Sequence, residues 1–191
     1  MIACSIGIDV LVTGSWDSTI RVWDPYVPSP PNELHRPDIR ILRSAEVPLR
    51  STHTLPARVY NLSYASSTST LLISMAHRHV SVYSLASLAS ALEGQVLKPE
   101  QQRESALKFL TRAVACMVDG KGQSVRTCQC FDMLNPGSGW ASGSIEGRIA
   151  VEYFDADPAA QSQKYAFRAH RQTVDGVDCV YPINALAYHP M

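Results

Sequence analysis

The side chains in this chain best suited to chemistry are basic ones. Lys164, Arg168, His170 and Arg171 fall on or just after one candidate strand, and Arg148 lies on the strand before it. Guanidinium forks match phosphate oxygens, and a phosphothreonine brings about −1.5 to −2 charges for them to meet. A charge-assisted hydrogen bond contributes about 1.5–3 kcal/mol, enough to switch a weak peptide contact on. The competing reading is a solvated charged edge, which is worth little. A second candidate is Trp16, inside a short turn where a large ring has little core to fill. An aromatic at a loop tip is suited to gripping a partner. Trp23 and Tyr83 read as packing aromatics, and Asp17 as a turn acid.

Other arrangements carry less. No GxSxG, phosphate-binding Walker loop or GxGxxG occurs, and no nucleophile, base and oxyanion donor can be named together. The sequence therefore points away from an enzyme. Asp155 and Asp157 flank a turn before Pro158. His77 and His79 would share a face in a regular strand, but no third ligand is evident. Cys128 and Cys130 form a lone CxC without partners at zinc spacing. The five cysteines (Cys4, Cys116, Cys128, Cys130 and Cys179) are odd in number and fit no disulfide framework. Reduced, intracellular thiols are the expectation, with no metal and no cofactor. Seventeen basic residues balance seventeen acidic ones, so no global field favours nucleic acid or a membrane surface. No apolar run approaches a membrane span, and the start, MIACSIGIDVLV, lacks the basic region of a signal peptide. Asn61-Leu62-Ser63 matches a glycosylation triplet, with nothing else suggesting secretion.

The elements that must position these residues recur. Gly14 to Trp23, Ser74 to Tyr83 and Gly143 to Glu152 each read as a small residue, a short polar turn, a β-branched residue and then Val two further on. The units start 60 and then 69 residues apart. A four-stranded propeller blade needs about 40–45, so both intervals hold insertions. Pro25–Arg40 is proline-rich and aperiodic, and Asp119–Gly139 is a long turn-rich connection. A short helix is expected around Leu85–Leu92. Candidate strands cover Val59–Tyr64, Leu71–Met75, Val80–Leu85, Ala106–Leu110, Ala113–Val118, Trp140–Ser144, Arg148–Phe154, Lys164–His170 and Ile183–His189. Short strands without a sustained helical period predict an all-β repeat protein. In such a meander alternate turns fall at one end. Trp16, Arg148, His170 and Arg171 should then open towards one face.

GSWDSTIRVWDP resembles a WD-repeat blade. QQRESALKFLTR, GSIEGRIAVEYFD, KYAFRAHR and YPINALAYHP are more specific, and together resemble the WD-repeat mitotic checkpoint proteins of the Bub-three type. The resemblance covers most of the chain and corresponds to the middle of a seven-bladed propeller. It implies an incomplete ring. Residues 10–55 would form a partial blade with a proline-rich insertion and without its opening strand. Residues 56–110 would form a second blade, and 111–171 a third with an insertion at 119–139. Residues 180–191 would hold the first strand of a further blade. The family sets a loop His, a turn Asp, a Ser and a Trp in one hydrogen-bonded group. Here Asp17, Ser15 and Trp23 would lack their His, and His170 would lack its Asp.

The resemblance implies a non-enzymatic adaptor of the spindle assembly checkpoint, in the nucleus and at mitotic kinetochores. Its partners would be GLEBS motifs of Bub-type kinases and phosphorylated MELT repeats of a kinetochore scaffold, with ubiquitin as a further partner. Neither nucleic acid nor membrane would be contacted directly. Arg148, Arg168 and Arg171 are assigned to phosphate with Lys164 in support, and Trp16 and His170 to peptide. Two alternatives stand beside this reading: the related mRNA-export propeller, which also takes a GLEBS motif, and a truncated gene product without function. A half ring would expose apolar blade faces, so the isolated chain is expected to be marginal or to aggregate.

Overall fold

A computed structural model of the chain describes residues 2–6, 10–24, 49–65, 68–91, 96–117 and 139–188. Three antiparallel four-stranded sheets follow one another along the chain. The first is β1 (Ile2–Ile6), β2 (Val10–Gly14), β3 (Thr19–Trp23) and β4 (Leu49–Thr54). The second is β5 (Val59–Ala65), β6 (Thr70–Met75), β7 (His79–Ser84) and β8 (Gln101–Glu104), with α1 (Leu85–Ser90) between its last two strands. The third is β9 (Thr111–Cys116), β10 (Gly139–Ser144), β11 (Arg148–Tyr153) and β12 (Tyr165–Arg168), with α2 (Pro158–Ser162) before the last strand. A separate hairpin, β13 (Arg171–Val174) and β14 (Val177–Val180), follows. Each sheet is an up-and-down meander, and β5 packs beside both β1 and β9. First strands set side by side, each opening its own meander, are the arrangement of a β-propeller, of which these three sheets form part.

Burial follows from that stacking. In β3 Ile20 and Val22 point inwards while Thr19, Arg21 and Trp23 are half-buried, the alternation of a strand covered on one face. In β6 every residue is buried, because the second sheet has a neighbour on each side. Leu71, Ile73 and Met75 join the core against Val12, Ile20 and Val22 of the first sheet. Leu72 points the other way and packs with Val114, Cys116 and Trp140 of the third.

The boundary between the second and third sheets is also stitched by polar groups. Arg103 of β8 donates to the carbonyls of Tyr153 (2.8 Å) and Phe154 (3.0 Å), and its guanidinium lies 5.9 Å from the Trp140 ring centre. Gln101 donates to Phe154 at 2.9 Å, and the Cys116 N–H donates to Ser63 Oγ at 2.9 Å.

Several expectations change here. The first sheet does not lack its opening strand: Ile2–Ile6 pair with Val10–Gly14 and complete four strands. The fourth strand of the second sheet is Gln101–Glu104, and Ala106–Leu110 is a run of bends and coil beyond it. Residues 183–188 carry no strand, although Ile183 is buried. The 171–180 hairpin was not expected, yet its Asp175-Gly176 pair, both at positive φ, is a two-residue hairpin signal. The short helix at 85–90 lies inside the predicted span. The connections 25–40 and 119–138, with Cys128 and Cys130, lie outside the described residues.

Candidate functional site

A three-residue turn recurs in each sheet and carries the candidate site, though in the second sheet it is a 3-10 turn with its middle residue, His77, also at positive φ. Its last residue is Ser18, Arg78 or Gly147, at φ 66°, 64° and 69°. Each presents its carbonyl to the backbone beyond its sheet's fourth strand. Leu55 donates to Ser18 (2.8 Å), Ser105 to Arg78 (2.8 Å), and both Ala169 (2.8 Å) and His170 (3.1 Å) to Gly147. The three turns are thereby tied to the chain leaving each sheet.

At the second turn position stand Asp17, His77 and Glu146. Asp17 is fully engaged. It accepts from the Thr19 hydroxyl at 2.6 Å and the Thr19 N–H at 3.0 Å, and pairs with Arg21 at 3.3 Å. The Thr19 hydroxyl is the main reason its carboxyl is held below the usual range. Trp23 donates to Thr13 at 2.8 Å, so in the first sheet the turn acid and the Trp belong to separate bonds.

Glu146 has different neighbours. Its carboxylate reaches Arg148 at 3.6 Å and Arg171 at 3.5 Å. The approach is enforced by Gly147, where a Cβ would stand 2.5 Å from the His170 carbonyl and 2.8 Å from that of Tyr181. Only a residue without a side chain lets the turn press against the segment carrying Arg171. Gly143 repeats this closeness one strand earlier, because a Cβ there would stand 2.5 Å from Ile183. Across the sheet Arg148 is paired in register with Arg168. Three arginines thus gather at one end of the third sheet with Glu146 among them. The Nε atoms of Arg148 and Arg171 are buried without a hydrogen-bond partner, and among the described residues the Arg168 side chain has no ion pair.

Lys164 is not part of this group. It precedes β12 at the far end, where Arg148–Arg168 and Val151–Tyr165 pairing sets it level with Glu152. Glu152 is only 7% exposed and accepts from the Ala106 N–H at 3.1 Å. Burial pushes its carboxyl up. The Ala106 bond, the charges of Lys164 and Arg103, and the Trp140 indole pull the other way. The indole nitrogen and Glu152 Oε2 nevertheless remain without a hydrogen bond of good geometry. Sequence reading missed Glu146 and Glu152. The first was visible only as the acid shared with Asp17 in the repeated turn.

His170 is exposed, and its backbone bonds to Gly147 and Tyr181 hold the segment in place. Trp16 is 68% exposed, with its ring edge-on to Tyr60 at 6.5 Å between centres. It occupies the same turn of the first sheet that Ile145 occupies in the third. His77 lies in its turn at positive φ with its ring 6.5 Å from that of His79. No group of three or more potential metal ligands occurs among the described residues.

No family model matches the chain. Among curated proteins it is 36% identical over 184 residues to the mitotic checkpoint protein BUB3.1 of Arabidopsis thaliana, covering 95% of this chain and 41% of that protein. It is 33% identical over 180 residues to the mitotic checkpoint protein bub3 of Dictyostelium discoideum, covering 94% and 41%. A poly(A)+ RNA export protein of Schizosaccharomyces pombe is 30% identical over 181 residues, covering 95% and 38%. Among solved structures, the WD40 β-propeller domain of Doa1 aligns at a TM-score of 0.45 and 13% identity, over 80% of this chain and 36% of that one. The chain spans about two-fifths of the length of the curated relatives it matches.

Proposed function

Because the chain is a relative of the WD-repeat mitotic checkpoint proteins of the Bub3 type, we propose that it serves as a non-enzymatic adaptor of the spindle assembly checkpoint. It binds GLEBS motifs of Bub-type kinases and phosphorylated MELT peptides of a kinetochore scaffold, in the nucleus and at kinetochores. The single observation that supports the phosphate part is the gathering of Arg148, Arg168 and Arg171 at one sheet end. Like charges directly opposite on neighbouring strands are unfavourable unless an anion offsets them. A phosphate brings both the charge and the acceptor oxygens. Lys164, level with Glu152, is at most a peripheral contributor. Trp16, on an equivalent turn two sheets away, and His170 offer apolar and polar contacts to the remainder of a peptide.

A second reading is favoured by a specific observation: an mRNA-export protein matches over the same extent of the chain at 30% identity. Pull-downs with GLEBS peptides from a checkpoint kinase and from a nucleoporin separate the two. The checkpoint reading expects preferential capture of the kinase peptide. Preference for the nucleoporin peptide overturns it.

A further inference from the structure

Glu146 and Asp17 occupy the same position in equivalent turns, yet their bonding differs. Asp17 closes its own turn through short bonds to Thr19. Glu146 has no such hydroxyl: the residue two further on is Arg148, and the carboxylate is stretched between Arg148 and Arg171 at 3.6 and 3.5 Å. The other guanidinium–carboxylate pairs among the described residues are shorter, with Arg50–Asp24 and Arg78–Glu104 both at 2.7 Å and Arg21–Asp17 at 3.3 Å. A charge-assisted bond settles at about 2.7–2.9 Å when geometry allows. The Glu146 N–H donates to Ser144 Oγ at 3.3 Å, and the Gly147 carbonyl is pinned by Ala169 and His170. One carboxylate is therefore shared between two guanidinium groups, with a third arginine in register across the sheet from the first.

We propose that Glu146 is a built-in anion that holds the arginine cradle when it is empty and sets the charge threshold for entry. The inference rests on the phosphopeptide reading and adds selectivity to it. An incoming Asp or Glu side chain, with one negative charge, only replaces what Glu146 already supplies. A phosphate near dianionic form exceeds it and offers three acceptor oxygens to the guanidinium groups gathered at this sheet end. Glu146 is thus a specificity-determining residue. The cradle discriminates a phosphorylated threonine from an acidic mimic, as well as from the unmodified hydroxyl.

The test measures affinity of the chain and of Glu146→Gln for three MELT peptides, carrying phosphothreonine, glutamate or threonine. The native chain is expected to bind the phosphorylated peptide at least about tenfold more tightly than the glutamate peptide, the worth of one charge-assisted bond. In Glu146→Gln the glutamate peptide should gain more than the phosphorylated one, narrowing that ratio by roughly threefold to tenfold. An unchanged ratio, or loss of all binding at an unchanged melting temperature, overturns the role of Glu146 alone. Equal binding of phosphorylated and unmodified peptides by the native chain overturns the phosphopeptide reading and this inference with it. Should Glu146→Gln fail to fold, carbon NMR of the native chain decides. The Glu146 carboxyl resonance is expected to move when the phosphorylated peptide saturates the site, and its immobility overturns the inference.

Discussion

Arg148 and Arg168 stand opposite one another on β11 and β12, two cations in direct register on neighbouring strands. A third, Arg171, follows across a two-residue link, and Glu146 lies between Arg148 and Arg171. The arrangement is electrostatically unbalanced by design of the backbone. Strand pairing sets two of the arginines side by side, and the Gly147 turn brings Glu146 up to the segment that carries the third.

Gly147 is the position where backbone and site are most tightly coupled. Gly147→Ala forces a non-glycine side chain to φ 69° with carbonyl oxygens 2.5 and 2.8 Å from its Cβ. We expect a loss of about 1–3 kcal/mol in urea denaturation. Preference for a phosphorylated peptide should fall with it, because the turn no longer presses Glu146 and Arg171 together. A variant with native stability and native preference would show the close approach to be dispensable.

Arg103 joins the second and third sheets. Arg103→Ala removes two donors from the Tyr153 and Phe154 carbonyls and the cation above Trp140. The expected cost is about 2–4 kcal/mol, from charged hydrogen bonds and a partly desolvated cation–π contact. Arg103→Lys should recover less than half, since an ammonium cannot reproduce the fork. Equal recovery by Lys would reduce the interaction to its charge.

Glu152 makes stability depend on pH in a definite direction. Its carboxyl is raised chiefly by burial. In the window between the ordinary glutamate value and that raised value, the folded chain holds more protons than the unfolded one. This contribution is favourable below the window and is lost as pH rises through it. Glu152→Gln keeps an acceptor for the Ala106 N–H without the charge. Relative to the variant, the native chain should therefore lose stability as pH rises above the ordinary glutamate value. Denaturation curves for both proteins at several pH values check this, and parallel stabilities across the range would refute it.

Trp16 should matter to binding and little to folding. With the ring 68% exposed and only an edge contact to Tyr60, Trp16→Ala is expected to change stability by less than about 1 kcal/mol. A binding anchor of this type costs about 2 kcal/mol or more when truncated. Isothermal titration with a GLEBS peptide, alongside a thermal melt, separates the two effects.

The sequence displayed what is local and repeated. The small residue, polar turn and β-branched pattern located β2–β3, β6–β7 and β10–β11, because alternation and turn chemistry act over a few residues. Gln101–Glu104 was passed over because its side chains are polar. Gln101 and Arg103 are half-buried instead through head groups that bond to the next sheet. Ala106–Leu110 looked more like a strand, but Ala106 spends its N–H on Glu152 instead of a ladder. The opening strand at Ile2–Ile6 carried no motif, and its existence rests on pairing with Val10–Gly14. For the site, clustering in sequence pointed to Arg168 and Arg171 with Arg148, and strand register sets Arg148 opposite Arg168. The same clustering drew in Lys164, which strand register sets at the opposite end. Glu146 became legible only when the turn folded back on Arg171.

On the proposed function, the arginine end of the third sheet receives phosphate. Charge reversal at two of its members, Arg168→Glu with Arg171→Glu, tests it most directly, with binding to phosphorylated and unmodified MELT peptides measured side by side. The preference for the phosphorylated peptide is expected to disappear while the thermal melt stays cooperative. Preference retained at its native ratio in the doubly reversed chain would remove these arginines from the site and contradict the account.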